Sequence, residues 1–117
     1  MGFRYEDLDV GEDILKFIDS VYATTATFPT DEKYGLTSQL RRAVYSVYLN
    51  LAEGSARGSK KEFARYITIA LASLVEVHAA FKIALKLSYI DEQTWRRIEV
   101  STNILWKRLC SLRSSQK

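Results

Sequence analysis

Apolar residues recur along this chain at offsets of three and four, the period of an α-helix, in four separate stretches. In the first, Leu8, Val10, Ile14, Phe17, Ile18 and Val21 fall mostly on one face and predict a helix over about residues 6–25. Its carboxylates crowd the first turns, where the helix dipole favours negative charge. Thr24, Thr25 and Thr27 are poor helix formers, Pro29 restricts Phe28 to an extended shape, and Gly35 adds a second break, so a loop follows. Leu40, Ala43, Val44, Val47, Tyr48 and Leu51 mark a second helix over about 37–54. Thr37 or Ser38 is placed to cap its start, and Gly54 to end it in a left-handed conformation.

The link Ser55–Gly58 is so short that the next helix must lie antiparallel to the second. Ser59 and Glu62 have the spacing of a capping box. Behind them Phe63, Ile67, Ala70, Leu71, Leu74, His78, Phe81 and Leu85 predict a third helix over about 59–86, roughly 40 Å long. Leu87–Ile90 makes the following turn, and Asp91 caps a fourth helix over about 91–113. There Trp95, Ile98, Thr102, Leu105, Leu109 and Leu112 alternate spacings in the heptad fashion of bundle packing. Four amphipathic helices joined by short links bury their stripes most simply as an all-α, up-and-down four-helix bundle, one domain over residues 1–117.

Composition supports a folded domain: of 117 residues, 47% are apolar and 26% charged, while five glycines and one proline are too few for the many turns of a β-sandwich. Cys110 is the only cysteine, no His, Cys or carboxylate run has metal-ligand spacing, and no Gly-rich phosphate loop is present. No cofactor, metal or catalytic residue is therefore expected, and the chain is read as non-enzymatic. The acidic amino terminus lacks the apolar stretch of a signal peptide. The longest uncharged apolar run, Tyr66–Val75, is ten residues, where a membrane span needs roughly 20. A cytoplasmic protein without a membrane partner is the expectation.

Charge is unevenly placed. Residues 1–32 carry two cations against eight carboxylates, and the rest fifteen cations against six, so the acidic first helix either stands apart or neutralises a neighbour. Arg57, Lys60, Lys61 and Arg65 gather at one end of the predicted bundle, and Arg96, Arg97, Lys107 and Arg108 decorate the fourth helix, followed by Arg113 and Lys117. Phosphate binding needs only such charges, without a fixed motif, although each cation alone is an ordinary surface residue.

A polar stripe on the second helix, Gln39, Arg42, Ser46, Asn50 and Glu53, is either a solvated face, a network fixing register or subunit contacts, or a ligand site. With the chain reversing near residue 56, Gln39 falls opposite Ser73 and Glu76 and Glu53 falls near Lys60, within reach of charge-assisted bonds from Arg41 or Arg42. Tyr45, Tyr48, Trp95 and Trp106 could stack bases, but aromatics at helical spacing are more often core or interface. His78 and Cys110 lack activating partners in sequence and are read as packed side chains.

The ordered combination Phe28-Pro29, Tyr34-Gly35-Leu36-Thr37-Ser38-Gln39-Leu40-Arg41-Arg42-Ala43, Ser46, Asn50-Leu51-Ala52-Glu53-Gly54 and Arg57 resembles the 23S rRNA intervening sequence protein family, bacterial four-helix bundle proteins. The likeness continues through Phe63, Ala70, Ser73-Leu74, Glu76 and Tyr89-Ile90, and departs from the commoner pattern at Tyr45, Tyr48 and Ala72. The resemblance implies a closed, ring-like homo-oligomer, commonly a pentamer, without known enzymatic activity. It also implies relatives that serve diversity-generating retroelements by binding nucleic acid and a reverse transcriptase. The combined expectation is an oligomeric bundle that binds RNA or DNA, or a nucleic-acid enzyme, through basic surfaces. The competing expectation is a structural or protein-partner scaffold.

Overall fold

The computed structural model describes residues 2–117. Four helices, α1 (Asp9–Thr25), α2 (Leu36–Ser55), α3 (Lys60–Lys86) and α4 (Glu92–Ser114), account for about three-quarters of the chain, with single 3-10 turns at Arg4–Asp7 and Thr30–Glu32 and no strand among the described residues. Consecutive helices pack side by side and α4 returns against α1, which closes an up-and-down bundle of 43 × 24 × 21 Å. The α2–α3 interface is the most extensive and the α1–α4 seam the thinnest. Each helix contributes its predicted stripe to one core: Ile14 and Phe17 from α1, Leu40, Val44 and Leu51 from α2, Phe63, Leu74 and Phe81 from α3, and Trp95, Leu105 and Leu109 from α4. Phe28, held in the loop before Pro29, plugs the end of this core against Phe81 and Tyr89.

The helix ends differ in detail from the sequence expectation. The first helix begins at Asp9 rather than Glu6, because Leu8 is extended and Glu6 turns its carboxylate back to accept from the Phe3 N–H at 2.8 Å. Neither Thr37 nor Ser38 caps α2. Its first orphan donor, the Leu36 N–H, instead gives its hydrogen bond to Glu32 at 3.1 Å. Glu32 also accepts from the Tyr89 hydroxyl at 2.8 Å, so one carboxylate ties the α2 start to the turn after α3. Ser59 does cap α3 by accepting from the Glu62 N–H at 3.0 Å, but the Glu62 carboxylate pairs with Arg65 and leaves the box half made. Asp91 caps α4 as expected, accepting from the Thr94 N–H at 2.8 Å.

Gly54 is not a left-handed terminator. It lies inside α2, where a Cβ would stand 2.4 Å from Tyr66 Cβ, so glycine is required by the approach of α3. The turn itself falls on Gly58, whose φ of +82° is the left-handed region that glycine occupies without strain.

Candidate functional site

The later turn moves the register of α2 against α3. Ser73 donates to Ser46 at 2.8 Å and Tyr66 donates to Glu53 at 3.3 Å, so the hairpin is centred between Ser59 and Lys60, about three residues beyond the expected reversal. Gln39 meets Glu76 as expected and donates to its carboxylate. Asn50 donates to the Ser46 hydroxyl at 2.9 Å and carbonyl at 2.8 Å. Glu53, by contrast, faces Tyr66 rather than Lys60. The expected bonds from the arginines to Glu53 or Glu76 are not made. Arg41 points the other way, donating to Thr25 at 3.0 Å with its guanidinium 4.2 Å over the Tyr22 ring, and thus belongs to the α1–α2 contact. Arg42 is exposed and joins no ion pair among the described residues. Gln39, Arg42, Ser46, Ser73 and Glu76 line an open polar groove of about 310 Å³.

The cations divide between two ends of the bundle. At the α2–α3 turn, Tyr66 is the organiser: it is buried, its hydroxyl accepts from Arg57 at 2.7 Å, and the guanidinium groups of Arg57 and Arg65 lie 5.0 and 4.7 Å over its ring. Such stacking holds both charges near one place without neutralising them. Glu62 does pair with Arg65 at 2.9 Å, and this bond lowers the Glu62 pKa. Lys60 and Lys61 are exposed and join no ion pair among the described residues. Arg113 donates to Thr68 at 3.3 Å, which brings the end of α4 to the same region. Arg96 and Arg97 sit at the start of α4, beside the far end of α3, on the order of 30 Å away at 1.5 Å per residue. Arg108 is bound to Asp13 of α1, so the acidic first helix does neutralise a neighbour. The eight predicted phosphate contacts therefore form no single patch.

His78 lies on the flank of α3 rather than on its core stripe, where Val77 takes the buried position. Its ring is 4.9 Å from Trp95, and its Nε2 is 3.3 Å from Glu99. Trp95 is core, Tyr48 is packed edge-on against Tyr5, and Trp106 and Tyr45 remain 40% and 42% exposed. Tyr45 is bonded to Tyr22 across the α1–α2 contact, while Trp106 lines a groove between α3 and α4. Cys110 is half-buried, as its apolar surroundings suggest. The residue that sequence reasoning missed is Tyr66, read as one more apolar position. The available signal was its hydroxyl: a tyrosine at a buried helical position needs a polar partner.

A four-helix bundle with a polar α2–α3 seam is the class that this geometry defines. The chain belongs to the 23S rRNA-intervening sequence protein family, whose pattern it matches over residues 6–111. Among solved structures it is similar to a protein of unknown function from the S23 ribosomal protein family of Bacteroides thetaiotaomicron, at 19% identity and a TM-score of 0.80. That similarity covers 88% of this chain and 96% of the other and confirms the bundle fold. No curated protein matches the chain.

Proposed function

We propose that this protein is a non-enzymatic, cytoplasmic, oligomeric bundle that binds RNA or DNA through the basic end formed by Arg57, Lys60, Lys61 and Arg65. One observation carries the reading: two exposed lysines, in no ion pair among the described residues, lie in the chain between two arginines, Arg57 and the Glu62-paired Arg65, whose guanidinium groups stack on a single buried tyrosine. Backbone phosphates are the ligand that such a surface suits, since they demand positive charge and no particular base. Repetition of this end around a closed homo-oligomer, with five subunits favoured by the family resemblance, would multiply the local field. A nucleic-acid enzyme such as a reverse transcriptase is then a partner brought to the same strand.

The test is a mobility-shift titration of generic duplex DNA and RNA across a salt series. If about four phosphates are neutralised, the log–log slope of affinity against salt is roughly −3 to −4 on duplex DNA, with little dependence on sequence. Absence of binding to either polymer at low salt refutes the reading and leaves a scaffold with an incidental basic surface.

A further inference from the structure

Of the aromatic side chains that are not buried in the core, Trp106 alone among the described residues has neither a ring nor a cation against it. It lies on the flank of α4 that faces α3, in an open groove of about 460 Å³ lined also by Val75, His78, Glu99, Val100 and Asn103. Val75 and Val100 are exposed and make the walls apolar. Glu99 is the only carboxylate in the lining, and it is hydrogen-bonded to the His78 ring at 3.3 Å. The exposed amide of Asn103, one turn from Trp106, has both donors and an acceptor to offer.

The charges at the two ends of this groove indicate what it holds. Arg113, about two turns beyond Trp106 on the same flank, is held by Thr68 at 3.3 Å and by Cys110 at 3.9 Å. It joins no ion pair among the described residues, and its contact with Thr68 connects the groove to the basic end. At the other end Lys82 lies 5.5 Å over the Trp95 ring and likewise joins no ion pair among the described residues. From Thr68 to Lys82 the groove runs about 21 Å along α3. That is the reach of about six nucleotides at ~3.4 Å per step of a stacked strand. Cations at the ends with an aromatic, apolar surface between them suit a polymer that alternates phosphate charge with flat rings. A duplex supplies the phosphates but keeps its rings inside the stack.

We infer that a single strand of DNA or RNA runs from the basic end along the α3–α4 groove, with a base stacked on Trp106 and phosphates at Arg113 and Lys82. The inference rests on the nucleic-acid reading of the proposed function and specifies the form of the strand. Fluorescence anisotropy of the full chain tests it with three labelled probes of about 12 nucleotides: single-stranded oligothymidylate, an abasic strand of equal length, and a duplex. The parent should bind oligothymidylate about tenfold or more tightly than the abasic strand, since the two differ only in their bases. Trp106→Ala should abolish that difference and Trp106→Phe should keep most of it, both with unchanged helical circular dichroism and with duplex binding within twofold of the parent. Arg113→Gln should weaken oligothymidylate and the abasic strand alike and flatten the salt slope by about 0.7. Equal affinity for oligothymidylate and the abasic strand, or a difference that survives Trp106→Ala, overturns the inference and leaves the basic end as the whole binding surface. Absence of binding to all three probes at low salt overturns the proposed function together with the inference. If the chain then binds an acidic amphipathic peptide and Trp106→Ala prevents it, the groove belongs to a protein partner instead.

Discussion

Gly54 and Tyr66 show how a single residue sets the hairpin on which the basic end is built. With Tyr66 Cβ at 2.4 Å and Phe63 Cδ1 at 3.2 Å from the place a Cβ would take, α2 and α3 touch almost backbone to backbone there. Gly54→Ala gains about 1 kcal/mol of helix propensity. Against this stands an overpacking cost of about 1–3 kcal/mol, and a clash between two Cβ atoms cannot be relieved by rotating a side chain. A net loss of up to about 2 kcal/mol is expected, read as a lower urea midpoint, and a higher midpoint would show that the helices can part freely. Sequence alone could not reveal this role. A glycine near a helix end reads as a terminator, and the atom that demands it belongs to another helix twelve residues later.

Glu32 acts at the scale of elements, joining the α2 start to the α3–α4 turn. The Leu36 N–H and then the Tyr89 hydroxyl hold its pKa below the ordinary value of 4.5, and the same bond raises that of Tyr89. A carboxylate depressed on folding stabilises the fold fully above its unfolded pKa and loses that contribution as pH falls through the folded one. Thermal melts should therefore show Glu32→Gln less stable than the parent at pH 7, with the difference closing below about pH 4. A gap that persists at pH 3 would mean that the charge on Glu32 is irrelevant. The helices themselves were legible because their stripes repeat over about three to six turns each. The clasp was not, since Glu32 and Tyr89 are distant in sequence and neither lies on a periodic face. Register shows the same limit: Gln39 against Glu76 followed from antiparallel pairing alone, but the partner of Glu53 depended on whether Gly54 or Gly58 makes the turn.

Across the whole molecule the predicted phosphate-binding residues are divided by the length of the bundle. Arg57, Lys60, Lys61 and Arg65 stand at one end, Arg96 and Arg97 at the other, and Arg108 is occupied by Asp13 between them. Sequence could count these charges but could not place α4 against α3, because that needs the three-dimensional pairing of helix ends. The proposed phosphate binding at the first end is tested most directly by comparing Lys60→Glu/Lys61→Glu with Arg96→Glu/Arg97→Glu on one duplex DNA at about 0.1 M salt. Loss of two phosphate contacts should weaken the first variant on the order of a hundredfold and flatten its salt slope by about two. Its fold should be kept, since acidic residues in the first turn of α3 suit the helix dipole. The second variant should bind within a few-fold of the parent. Equal weakening of both, or unchanged binding by the Lys60→Glu/Lys61→Glu variant, would contradict the assignment of the α2–α3 turn as the binding surface.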